Sequence, residues 1–194
     1  MNLKDHPAKP LNPILLYLLK FFGIFCLCYY GTRLLIGLAA PVGHYSPFVH
    51  NYLDYVSWIK ISLINGATFI LSWFHVTAIK EAGFALQIVH GKGIIIAMSC
   101  VGYAVDSFWI AFVVANKGTA VRKIIWLAGG LLILWIINVI RITLYLQALN
   151  NGWPMPLGLD HHTWFNIAAY TMIFLMIWLY DRTSKNKILR NSGK

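Results

Sequence analysis

The stretch Ile124-Ile125-Trp126-Leu127-Ala128-Gly129-Gly130-Leu131-Leu132-Ile133-Leu134-Trp135-Ile136-Ile137-Asn138-Val139-Ile140-Arg141-Ile142-Thr143-Leu144-Tyr145-Leu146 decides the fold class. At 1.5 Å per residue it makes a helix of roughly 34 Å, enough to cross a hydrocarbon core, and Arg141 is its one charge. Four neighbours come close to that length: Pro13 to Gly31, Val56 to Phe74, Gly93 to Ala115 and Trp164 to Tyr180. With 59% hydrophobic and 11% charged residues over 194 positions, such blocks have no place to hide in water. Disordered regulators, secreted disulfide scaffolds and free nucleic-acid binders are excluded. We expect an all-α fold, a polytopic transmembrane helical bundle of about five to six spans, with residues 1–194 forming one integral membrane domain.

The formal charge of +10 then reads as topology. Cytoplasmic loops collect Lys and Arg. A cytoplasmic C-terminus puts Arg33, Lys60, Lys117, Arg122, Lys123, Arg182, Lys185, Lys187, Arg190 and Lys194 inside, against Lys4, Lys9, Lys80, Lys92 and Arg141 outside. That ten-to-five split orients the chain in an inner (plasma) membrane. Lys4 and Lys9 fit poorly, and a half-crossing within Thr32 to Tyr55, near Pro41, Gly43 and Pro47, would satisfy both ends. The first block resembles a signal peptide in outline, with Leu38-Ala39-Ala40 after it; we expect a retained helix. Val76 to Lys92 is too polar to span, and its partial alternation predicts a short strand or lid on the outer surface.

Polar groups inside spans carry most of the information. With Gly93 to Ala115 as a continuous helix entering from outside, Cys100 lies roughly 10 Å down; Arg141 lies about 8 Å below the same face on the next span. His161 and His162 stand at the outer mouth of the last one. A lone Cys in an apolar helix is usually inert, an Arg near a helix end usually snorkels, and a His pair at an interface is often solvated. Against that, Asn138, Arg141 and Tyr145 recur at i, i+3 and i+7, a polar stripe that faces protein or a wet cavity. Asp106 falls about 120° around the helix from Cys100, which predicts a partner elsewhere. Cys26 and Cys28 point roughly 200° apart and read as small packing residues. His75 and His90 show no ligand spacing, so no metal and no cofactor is expected.

Brought together, a Cys, an Arg and a His make an acyl-transfer site. The thiolate attacks, the permanent guanidinium charge stabilises thiolate or oxyanion, and the imidazole moves the proton. A non-enzymatic membrane assembly or transport subunit, in which Cys100 and Arg141 only pack and snorkel, is the alternative. A thiol oxidoreductase is a weaker reading, because it needs a resolving cysteine on the same face.

Ser99-Cys100-Val101-Gly102, Asn138-Val139-Ile140-Arg141-Ile142 and Asp160-His161-His162 with Asn166 fall in the order Cys, Arg, His, each near an outer helix end. In this the chain resembles the exosortase and archaeosortase family of membrane cysteine transpeptidases, over roughly residues 83–180. The resemblance implies cleavage of a C-terminal sorting signal, made of a motif, a transmembrane helix and a basic tail, on exported proteins at the extracytoplasmic face. It implies a thioester acyl-enzyme whose acceptor is water or an amine on a lipid or cell-surface component. Carried over, Cys100 is the nucleophile, Arg141 the charged stabiliser and His162 the acid/base, with His161 the alternative; Gly102, Asn138 and Tyr145 support them. The chain departs where many members read Cys-Ser-Gly and this one has Cys100-Val101-Gly102, and it is shorter than most.

Overall fold

The computed structural model describes residues 12–40, 44–153, 158 and 161–192; the side chains of 99, 161, 162, 165 and 184–192 lie outside that description. Among the described residues, six α-helices and three strands follow in the order α1 (Pro13–Ala39), α2 (Pro47–Tyr52), α3 (Tyr55–Trp73), β1 (Ala78–Glu81), β2 (Ala85–Ile88), β3 (Gly93–Ile95), α4 (Tyr103–Ala115), α5 (Ala120–Asn151) and α6 (His161–Ser192). The protein is mostly helical. Among the described residues, three helical stretches are long and apolar enough to cross a membrane: Pro13–Ala39, Pro47–Trp73 and Ala120–Asn151.

α5 is the axis of the molecule. Thr119 caps its start by accepting from the Arg122 N–H, and Gly152, at φ 64°, ends it in the left-handed conformation that favours glycine. Its 32 residues make a helix of roughly 48 Å, longer than a hydrocarbon core is thick. α3 runs parallel to it: the Trp135 Nε1 donates to Ser62 Oγ, and four residues on, Gly66 faces Val139 and Trp135. α6 runs antiparallel, with the Arg122 guanidinium donating to the Tyr180 carbonyl and lying 4.2 Å over the Tyr180 ring. α4 packs on the lower half of α5, where Trp109 Nε1 donates to the Trp126 carbonyl over Gly130. α1 lies along α4. Close approaches at glycine and buried hydrogen bonds thus join the helices.

The upper half of α5 is covered by a sheet. β1, β2 and β3 form an antiparallel meander in that order, Ala78 opposite Ile88 and Ala85 opposite Ile95. Its inner face, with Leu86 and Ile96 fully buried, packs on Leu63, Ile64 and Leu71 of α3 and on Val139, Ile142 and Leu146 of α5. Lys80 Nζ ties β1 to Asn65 of α3, and Asn150 clamps the turn before β3: its Oδ1 accepts from the Lys92 N–H and its Nδ2 donates to the Lys92 carbonyl. Gly91 stands against that clamp where a β-carbon would fall 2.3 Å from Asn150 Oδ1.

Two sequence expectations are corrected. Gly93 to Ala115 is not one helix: Ile94 and Ile95 pair with β2, and a 3-10 turn at Met98–Cys100 precedes α4. A run of β-branched isoleucines bounded by Gly93 and Gly102 satisfies its backbone better on a waiting hairpin than in a helix. α4 itself, at 13 residues, is roughly 20 Å long. The expected strand or lid is the larger part of a three-stranded sheet. Between Thr32 and Tyr55 lie the end of α1 and the six-residue α2, too short to cross; Pro41 and Gly43 lie outside the described residues. The fourth and fifth expected crossings fall within α5 and α6.

Candidate functional site

Cys100 closes the 3-10 turn, three residues before the first residue of α4. The turn is tight because Cys100 N–H donates to the Ala97 carbonyl and Val101 N–H to that of Met98. Gly102 then takes φ 81°, a left-handed conformation costing an L side chain about 1–2 kcal/mol, and this reversal starts the helix. The expectation that Cys100 sits on a helix is therefore wrong, and the angular argument that removed Asp106 from the site falls with it. The thiol instead lies just ahead of the first turn of α4.

The polar stripe of α5 meets this turn. Asn138 Nδ2 donates to the Cys100 carbonyl at 2.7 Å and to the Val101 carbonyl at 3.2 Å, and Arg141 Nη2 donates to the Cys100 carbonyl at 3.2 Å. Asn138 is buried, 3% exposed, while Arg141 and Cys100 are half-buried. So two of the residues expected at one depth, Cys100 and Arg141, meet, and they do so through the main chain of Cys100. Cys100, Arg141 and Tyr145 also line one cavity of about 260 Å³, walled by β3, with Ile142 and Leu149 on the α5 side. Gly102 and Asn138 line a second, adjoining cavity with Asp106. Cys26 and Cys28 are on α1, and neither lines the cavity of Cys100.

α6 begins at His161, but the side chains of His161 and His162 lie outside the described residues, as does Asp160. The level of the start of α6 follows from helix geometry. Arg122 is anchored to Tyr180; nineteen residues up α5 is Arg141 and nineteen back along α6 is His161, each roughly 28 Å away. The start of α6 and the Cys100 turn therefore stand at the same end of the bundle.

Lys60 carries no signal in the local sequence pattern. It was grouped with the cytoplasmic charges; it is instead 7% exposed on α3, its ammonium 4.6 Å from the centre of the Phe84 ring and within electrostatic reach of Cys100. Its partner is 24 residues away across a hairpin, a pairing no local pattern announces. Compared with protein-family models, with characterised proteins and with solved structures, the chain matches none. What fold and site define is a helical protein with, among the described residues, three helical stretches long and apolar enough to cross a membrane, a small sheet over one end, and a cysteine turn pinned to the central helix.

Proposed function

We propose that the protein is a multi-pass membrane cysteine protease or transpeptidase acting on exported proteins at the extracytoplasmic face. The observation that carries this is the shared cavity of Cys100, Arg141 and Tyr145, with the Cys100 main chain pinned by Asn138 and Arg141. The Cys100 thiolate attacks the scissile carbonyl carbon, the C–N bond breaks, and the amine leaves with a proton from His162, or from His161 in its place. Arg141, which cannot lose its charge, stabilises the oxyanion of the tetrahedral intermediate. Water, or an amine on a lipid or cell-surface component, then attacks the thioester and regenerates the thiol. The substrate is an exported protein with a C-terminal signal of motif, transmembrane helix and basic tail.

The bilayer placement has two supports. Arg122 and Arg141 stand roughly 28 Å apart on α5, about one hydrocarbon thickness, so each end of that interval reaches an interface. The sheet has open edges, β1 among them with Lys80 and Glu81 exposed, and open edges are not tolerated in hydrocarbon. The sheet therefore sits above the membrane and Cys100 at its lip. Taking Lys60 out of the cytoplasmic group and counting Arg33, which lies within electrostatic reach of Tyr103 at the Cys100 end, with the outer one leaves eight charges against six, which still favours a cytoplasmic C-terminus.

The test uses purified protein in liposomes and a peptide carrying an apolar helix and a Lys tail. Cleavage and a hydroxylamine-sensitive adduct at Cys100 are expected with the native chain, and neither with Cys100→Ala. One observation favours the non-enzymatic subunit: Arg141 meets the Cys100 carbonyl, as a packing role requires. That reading predicts that Cys100→Ser keeps full function in the cell.

A further inference from the structure

Directly below the Cys100 turn, a cleft of about 320 Å³ opens between α3 and α4, with α5 as its floor. Ile59, Leu63, Val105, Leu131 and Trp135 make it apolar, and Leu132, 56% exposed, stands at its mouth. Two polar side chains line it. Asn138 spends its Nδ2 on the Cys100 and Val101 carbonyls, which fixes the amide orientation and leaves Oδ1 as an acceptor; that atom is buried and meets no donor among the described residues. Asp106 is half-buried among the helices, and among the described residues no charge or hydrogen bond offsets the loss of its water. An unmet acceptor and an unpaired carboxylate at hydrocarbon depth are both expensive.

Both groups accept, so the occupant that completes them donates, and it must otherwise be apolar. The first turn of an apolar helix has this chemistry: its leading backbone N–H groups have no partner within the helix, and its dipole is positive there. The N–H groups need acceptors in lipid more than anywhere else. We propose that the α3/α4 cleft is a docking site for the first turn of an apolar transmembrane helix, capped by the Asp106 carboxylate and Asn138 Oδ1. The proposal rests on the peptidase reading above and deepens it. The cleft begins at Val101 and Gly102, so a peptide attached to Cys100 is held by the helix that follows its scissile bond.

Full-length protein carrying Cys100→Ser, which cannot turn over, separates binding from cleavage. The probe is a synthetic peptide with a short polar segment, an apolar Leu/Ala helix and a Lys tail, its affinity read by fluorescence anisotropy in micelles. A matched peptide N-methylated at the first three apolar residues lacks the donors and is expected to bind about tenfold more weakly. Asp106→Leu is expected to weaken the unmodified peptide by a similar factor and the methylated one little further. Should Asp106→Leu fail to fold, Leu132→Cys serves instead: with copper phenanthroline and dissolved oxygen as oxidant, it is expected to form a disulfide with peptides bearing Cys in the first apolar turn and not with those bearing it near the Lys tail. Equal affinities for the two peptides, cross-linking without positional preference, or displacement of the peptide by a long-chain amine at low concentration would each overturn the proposal. Cleavage is scored separately with the native chain: tight, donor-dependent binding without cleavage sinks the peptidase reading alone, and cleavage with donor-independent binding sinks the cleft alone.

Discussion

At the scale of single residues, Asn138 holds the site together. Its amide nitrogen serves two buried main-chain carbonyls of the turn, so truncation strips donors from acceptors that have little water to turn to. Asn138→Ala is expected to destabilise the protein by about 1–3 kcal/mol and to loosen the Cys100 turn. Denaturation in micelles checks the first effect, and faster hydrogen exchange at Cys100 and Val101, with the lower half of α5 unchanged, checks the second. The stripe of Asn138, Arg141 and Tyr145 was legible in the sequence because polar residues at helical spacing stand out in an apolar span. Its target was not. A side chain that bonds a backbone carbonyl 38 positions away leaves no mark on local pattern, and neither does Lys60 over Phe84.

At the scale of elements, the joint between α4 and α5 depends on one missing β-carbon. A methyl group at Gly130 would fall 1.9 Å from Trp109 Nε1 and force apart the ring that bonds the Trp126 carbonyl. Gly130→Ala is expected to lower stability by about 1–3 kcal/mol, as overpacking does. Gly129→Ala, with nothing within 4 Å, is expected to be neutral or slightly stabilising. Thermal unfolding of the pair side by side is the check. The clamp at the other end of α5 makes a second prediction: Asn150→Ala frees the turn at Gly91 and Lys92, so amide exchange there speeds up at least tenfold while α3 keeps its protection. α5 could be read from the sequence because a long apolar run admits one interpretation. Gly93 to Ala115 could not, since short runs such as Ile94-Ile95-Ile96 fit a buried strand or a helix, and a distant hairpin decided between them.

At the scale of the whole molecule, α5 sets two levels. Arg122, held by Tyr180, marks one end, and Arg141, held at Cys100, marks the other. The sheet above the second level explains why a chain so rich in apolar sequence still carries a surface with Lys80, Glu81 and Lys92 at one end. Everything in the functional reading requires that the thiol be open to the outside and that Arg141 act on it. The most direct measurement is the alkylation rate of Cys100 by a membrane-impermeant maleimide on intact cells, in a Cys26→Ala, Cys28→Ala background, with and without Arg141→Gln. The account predicts labelling from outside at neutral pH and a rate about tenfold lower in the Arg141→Gln variant, since Arg141 shares the cavity of Cys100 and holds its main chain. A Cys100 that labels only after the membrane is opened, or at the same rate with either residue at position 141, would contradict it.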